Sequence, residues 1–310
     1  MTSDDKNQDR GDALLDDPSR REFVAISAAV GLAATAGRAV AAESHRHTVV
    51  EKDVQIQTGD GTCDAAYFHP ASGKHPGVII WTDIFGLRPT FRAFGRRLAA
   101  AGYSVLVPNP FYRTAPGAPY TEDEIKAFNF RDPNARAKMG KDTGPINAAG
   151  AIETDAKAHV GFLDSQAEVD TDKKIGTQGY CMGGPLVFRT VASQSDRVGA
   201  GATFHGGGLV TDRPDSPHLL IPKFHAQMYV AIATSDDKTQ PDAKDKLKAA
   251  FAAASDPKAH DSTVVVYQGM QHGWTVPDMP HQPNGQPIYD KPEAEIAWGH
   301  LLKLYGSNLA

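Results

Sequence analysis

Three short stretches of the chain carry side chains suited to acyl chemistry, and they follow one another as thiol, carboxylate and imidazole. The first is Gly179-Tyr180-Cys181-Met182-Gly183-Gly184. It lies where an apolar strand gives way to a helix, and a cysteine with glycines two places before and after it has the form of a nucleophile elbow. The turn is tight enough that a side chain at either glycine would collide with the strand or the helix. A buried cysteine packed beside glycines would read the same way in isolation; the flanking strand and helix point to the elbow. A thiol of ordinary pKa, about 8.5, is mostly protonated at neutral pH, so Cys181 needs a base or a local positive field. The helix opening at Met182 supplies part of that field through its unpaired N–H groups.

The base is expected on a later strand-end loop. His272, in Gly269-Met270-Gln271-His272-Gly273-Trp274, comes directly after the strand that ends at Tyr267. The carboxylate that orients the ring is expected after the preceding strand, where the chain runs Thr234-Ser235-Asp236-Asp237-Lys238. Counting from the strand end favours Asp236 and counting back from Pro241 favours Asp237; Asp236 is preferred, with Asp237 as the alternative. Acyl transfer also places negative charge on a carbonyl oxygen, which needs backbone donors. The expected donors are the N–H groups of Met182 and of Ile84, the latter in Thr82-Asp83-Ile84-Phe85-Gly86. His205-Gly206-Gly207-Gly208 has the look of a lipase oxyanion motif. That motif precedes the nucleophile, whereas this run follows it, so it is read as a strand-end loop passing near the pocket.

The elements that must position these residues are legible as apolar runs. Val49 to Gln57 and Cys63 to Phe68 alternate loosely around Gly59-Asp60-Gly61, which predicts an antiparallel hairpin. Gly77–Trp81, Tyr103–Val107, Ile175–Tyr180, Val198–Phe204, Met228–Thr234 and Thr263–Tyr267 read as strands. Helices are expected at about Phe91–Ala101, Asn147–Gln166, just after Cys181, Asp242–Ala254 and Glu293–Tyr305. Strands that are apolar along their length and alternate with helices belong to a mostly parallel sheet covered on both faces, an α/β fold. In such a sheet ligands bind beyond the carboxyl ends of the strands, where all three motifs fall.

A formal charge of −5 and a pI near 6.2 give no basic surplus for a nucleic acid or an anionic membrane. Residues 1–42 read as an export signal of the twin-arginine type: a polar start, Arg20-Arg21, a mild apolar run to Ala36, and Ala39-Val40-Ala41-Ala42 before Glu43. The apolar run is too short for a stable membrane anchor. The mature protein is then expected to be a single domain, 43–310, in the periplasm or secreted. It has two cysteines, Cys63 and Cys181, and a disulfide between them would consume the nucleophile. No metal motif of the H-E-x-x-H kind is present, and no cofactor is expected.

Taken with Trp81-Thr82-Asp83-Ile84-Phe85-Gly86, Pro108-Asn109-Pro110-Phe111-Tyr112-Arg113 and His272-Gly273-Trp274, the elbow resembles the landmarks of the dienelactone hydrolase (carboxymethylenebutenolidase) family over roughly Val49 to Tyr305. The resemblance implies an α/β-hydrolase fold, a Cys181-His272-Asp236 triad and hydrolysis of a small ester or lactone through an acyl-cysteine. It also implies a pocket lined by Asp83, Phe85, Tyr112, Arg113 and Trp274. Asp83 is shorter than the family's glutamate at that place, and Gly273-Trp274-Thr275-Val276-Pro277 lacks the family's carboxylate-gripping arginine. Arg113 or Arg131 is the available substitute, and Trp274 suggests an aromatic pocket wall. The expected partner is the small substrate alone, with the protein a monomer or small homo-oligomer. The alternative reading is a non-catalytic exported binding protein on the same fold.

Overall fold

The computed structural model describes residues 47–282 and 284–309, so the proposed signal lies outside the described residues. Val49–Thr58 (β1) and Gly61–Pro70 (β2) pair as the expected hairpin. Gly77–Trp81 (β3), Pro89–Ala100 (α1) and Ser104–Pro108 (β4) follow, then Glu122–Lys126 (α2), Pro133–Thr143 (α3) and Ala151–Ser165 (α4). Ile175–Tyr180 (β5) leads into Gly183–Ser193 (α5), and Val198–Phe204 (β6) leads through a short 3-10 helix to Gln227–Ala233 (β7). Thr234–Thr239 (α6), Ala243–Ala252 (α7), Pro257–His260 (α8), Thr263–Tyr267 (β8) and Lys291–Asn308 (α9) complete the chain.

The eight strands are ordered β1-β2-β4-β3-β5-β6-β7-β8, antiparallel at the hairpin end and parallel from β4 to β8. The parallel strands β3 to β7 are buried on both faces, while β8 at the edge is only partly buried, and alternate residues feed two cores. Val78 and Ile80 join Phe91, Tyr180, Phe204, Trp298 and Tyr305 under α1 and α9. Ile79 and Trp81 join Leu163, Val187, Val191 and Phe251 under α4, α5 and α7. This is the expected α/β-hydrolase architecture.

Three local expectations are corrected. The helix expected from Asn147 begins at Ala151, because Gly150 takes a left-handed φ of 79° and ends a turn there. Thr234 opens α6 instead of closing β7. Helices α2 and α3 had no apolar periodicity to announce them: α2 buries only Ile125 and α3 buries nothing. Among the described residues no helix is long and apolar enough to cross a membrane.

Candidate active site

Cys181 follows β5 directly, in a left-handed backbone conformation with φ 51°. A non-glycine residue held there costs on the order of 1–3 kcal/mol, which surrounding structure must impose. Two glycines make the imposition possible. A Cβ at Gly179 would stand 2.2 Å from the carbonyl oxygen of Gly183, and one at Gly183 would stand 2.6 Å from that of Trp81. The first turn of α5 is thereby pressed onto the end of β3, with Gly183 against the Trp81 and Thr82 carbonyls just before Ile84 in the chain. Among the described residues, no backbone acceptor takes the N–H of Ile84 or of Met182. Both cysteines are free; Cys63 is fully buried and Cys181 is partly open to solvent.

His272 is held from the β7 side. Its N–H donates to Ser235 Oγ at 2.8 Å, the Ser235 N–H donates to Met270 O at 3.2 Å, and Thr234 Oγ1 ties to Tyr267 O at 2.8 Å. These bonds stitch the acid loop to the histidine loop. Asp236 accepts from His272 Nδ1, its two oxygens at 2.9 and 3.0 Å, which leaves Nε2 for the sulfur. Burial of the ring opposes its charged form, but the Cys181 sulfur and then the Asp236 carboxylate, by charge and hydrogen bond, carry its pKa well above the usual histidine value. Asp237 instead pairs with Lys244 at 2.8 Å. The structure therefore brings Cys181, His272 and Asp236 together and turns Asp237 outward.

Residues 63–309 match the sequence profile of the dienelactone hydrolase family. The chain belongs to the dienelactone hydrolase family. This family of hydrolases has relatives at modest identity. A putative carboxymethylenebutenolidase of Synechocystis sp. is 22% identical over 77% of this chain and 89% of its own length. The carboxymethylenebutenolidase of Pseudomonas putida is 26% identical over 57% of this chain and 70% of its own. A putative dienelactone hydrolase from Klebsiella pneumoniae superimposes with a TM-score of 0.66 at 19% identity, covering 84% of this chain and 99% of that one. A dienelactone hydrolase-like promiscuous phosphotriesterase from metagenomic libraries gives the same TM-score and coverage at 20% identity.

Dienelactone hydrolase resemblance also supplied the pocket residues, and here the structure departs from expectation. Trp274 is fully buried beneath the histidine loop, packed on Tyr267 and His205 with ring centroids 5.0 and 5.4 Å away, so it is a support and not a wall. Phe85 is buried within Tyr120, Phe128 and Phe130, of which only Phe130 is widely exposed. Tyr112 donates to Asp155 at 2.7 Å, and Arg113 pairs with Asp155 and Asp60 at 2.8 and 2.6 Å, tying the β4 loop to α4 and to the β1–β2 turn. Neither is left to hold a substrate. Arg131 is exposed, in the turn before α3. Asp83 is committed as well: its carboxylate accepts two bonds from the Arg88 guanidinium, at 2.7 and 3.0 Å, and one from the Phe85 N–H at 2.9 Å.

Two residues of the site were missed in the sequence. Arg88 is almost wholly buried; burial opposes its charge, and Asp83 with Asp278 more than restores it. Its only sequence signal was proximity to Asp83. His205 has a left-handed φ of 42° and is fully buried, with Nε2 3.0 Å from Thr275 Oγ1 and its ring edge-on to His272 at 5.0 Å. Burial, then the charge of His272, drive its pKa well below the ordinary value, so it meets the His272 ring as a neutral imidazole. The glycines that follow it do pass close to the elbow: Gly207 N–H donates to Cys181 O at 3.3 Å.

Proposed function

We propose that this protein hydrolyses a small carboxylic ester or lactone through an acyl-cysteine intermediate, with Cys181 as nucleophile, His272 as acid and base and Asp236 as orienter. The Cys181 thiol passes its proton to His272 Nε2 and its sulfur adds to the acyl carbon, and the N–H groups of Ile84 and Met182 hold the resulting oxyanion. His272 Nε2 gives a proton to the leaving alkoxide as the C–O bond breaks, leaving a thioester. It then takes a proton from water, whose oxygen adds to the thioester carbon, and returns that proton to the sulfur as the acid departs. The strongest support is the Asp236 carboxylate on Nδ1 of the same ring whose protonation the Cys181 sulfur favours. A substrate without a carboxylate is favoured, because Arg88 and Arg113 are each committed to two aspartates.

Hydrolysis of p-nitrophenyl acetate by the wild type, Cys181→Ala and His272→Ala tests the reading. Loss of turnover in both variants is expected; wild-type turnover in both leaves the binding-protein alternative. Residues 1–42 are proposed to direct export by the twin-arginine route to the periplasm. Replacing Arg20 and Arg21 by lysines is expected to keep the protein in the cytoplasm, and unchanged export refutes the signal.

A further inference from the structure

One buried charged group, bonded at every guanidinium nitrogen, is not used by the proposed reaction. Arg88 stands at the start of α1, 3% exposed, between two carboxylates. On one side it grips Asp83, which is buried. On the other its Nε and one terminal nitrogen grip Asp278 at 2.8 and 2.7 Å, and Asp278 lies in the loop beyond His272. Phe85 and Phe91 present their rings to the guanidinium at 5.4 and 4.9 Å, which excludes water and strengthens the pairs.

Ile84 lies between the two residues whose positions this arrangement fixes. Asp83 precedes it, and Phe85, whose N–H is bound by the Asp83 carboxylate, follows it. The turn is closed by the Gly86 N–H on Asp83 O at 3.1 Å. A peptide held on both sides cannot rotate, so the Ile84 N–H keeps one direction. His272 is anchored separately, through Ser235 and Asp236.

We propose that Arg88 is a positioning residue that, by bridging Asp83 to Asp278, aims the Ile84 N–H at the substrate's developing oxyanion without acting on the thiol and imidazole. The proposal rests on the acyl-cysteine reading above.

Two reactions of the same sulfur separate the roles. Ester hydrolysis passes through tetrahedral oxyanions. Alkylation by iodoacetamide is a direct displacement at carbon and has no oxyanion for the hole to hold. Asp278→Ala leaves the buried Arg88–Asp83 pair in place while cutting the outer tie, so the chain is expected to fold. Its kcat on p-nitrophenyl acetate is expected to fall about tenfold with little change in KM, a fraction of the 10²–10³ lost with a whole donor. Arg88→Lys, which lacks the planar fork, should fall further, while Cys181 in both is alkylated within about twofold of the wild-type rate. Turnover and alkylation falling in step, or neither changing in Asp278→Ala, overturns the proposal. Cys181→Ala run alongside isolates the underlying reading: if it still hydrolyses the ester at the wild-type rate, both ideas fall.

Discussion

His272 Nδ1 faces both oxygens of Asp236, while Asp237, one residue on, points its carboxylate at Lys244. One helical step separates a carboxylate bonded to the imidazole from one paired with a lysine. Asp236→Asn is therefore expected to lower kcat on p-nitrophenyl acetate by about 10²–10⁴, because an amide no longer fixes the tautomer or stabilises the imidazolium. Asp237→Asn should stay within about twofold, because the ion pair it loses is open to solvent screening and does not touch His272. Equal losses in the two variants would remove Asp236 from its role.

Cys63 is buried against the carbonyl oxygens of Asp64 and Asn109, and burial, then the Asp155 charge, push its thiol pKa far up. Native protein should incorporate one iodoacetamide, at Cys181, and unfolded protein two. Native labelling of Cys63 in a mass spectrum would contradict this burial.

His159 lies in the core against Trp81, ring centroids 5.3 Å apart, with neither nitrogen hydrogen-bonded, and burial, then the Arg113 charge, lower its pKa to about 3. Its folded pKa is below the unfolded value of about 6.5, so between these two the unfolded chain binds a proton that the folded one refuses. Stability is lost as pH falls below about 6.5, by about 2 kcal/mol at pH 5 from this group alone. His159→Leu should raise Tm relative to wild type more at pH 5 than at pH 8. A constant difference would show that the ring titrates equally in both states.

Arg113 braces the β4 loop against α4 through Asp155 and against the β1–β2 turn through Asp60. Arg113→Met strands the buried Asp155 carboxylate, and chemical denaturation should show a loss of about 3 kcal/mol with KM for neutral esters unchanged. A raised KM at full stability would restore Arg113 to the pocket.

Gly183→Ala places a methyl group against the carbonyl oxygens of Trp81 and Thr82 at 2.6 and 2.8 Å. Backbone cannot yield as a flexible side chain can, so α5 must move off β3 and separate the two oxyanion donors. Turnover should drop at least about 10²-fold. Wild-type kcat in a folded Gly183→Ala protein would mean that the donors do not converge there.

The sequence by itself determined the strands, their parallel arrangement and the order of Cys181, Asp236 and His272. Those features follow from local rules: apolar runs long enough to be buried on both faces, glycines where a tight turn permits nothing larger, and polar residues just past strand ends. The choice between Asp236 and Asp237 was decided by the tertiary structure, since which of two adjacent carboxylates meets His272 depends on the turn of α6 relative to a loop more than thirty residues away. The same holds for Arg88, His205, Trp274 and Arg113. Each is defined by partners distant in the chain, Asp278 for Arg88 and Asp155 for Arg113, and a charge or ring acquires its function from what surrounds it once the chain has closed.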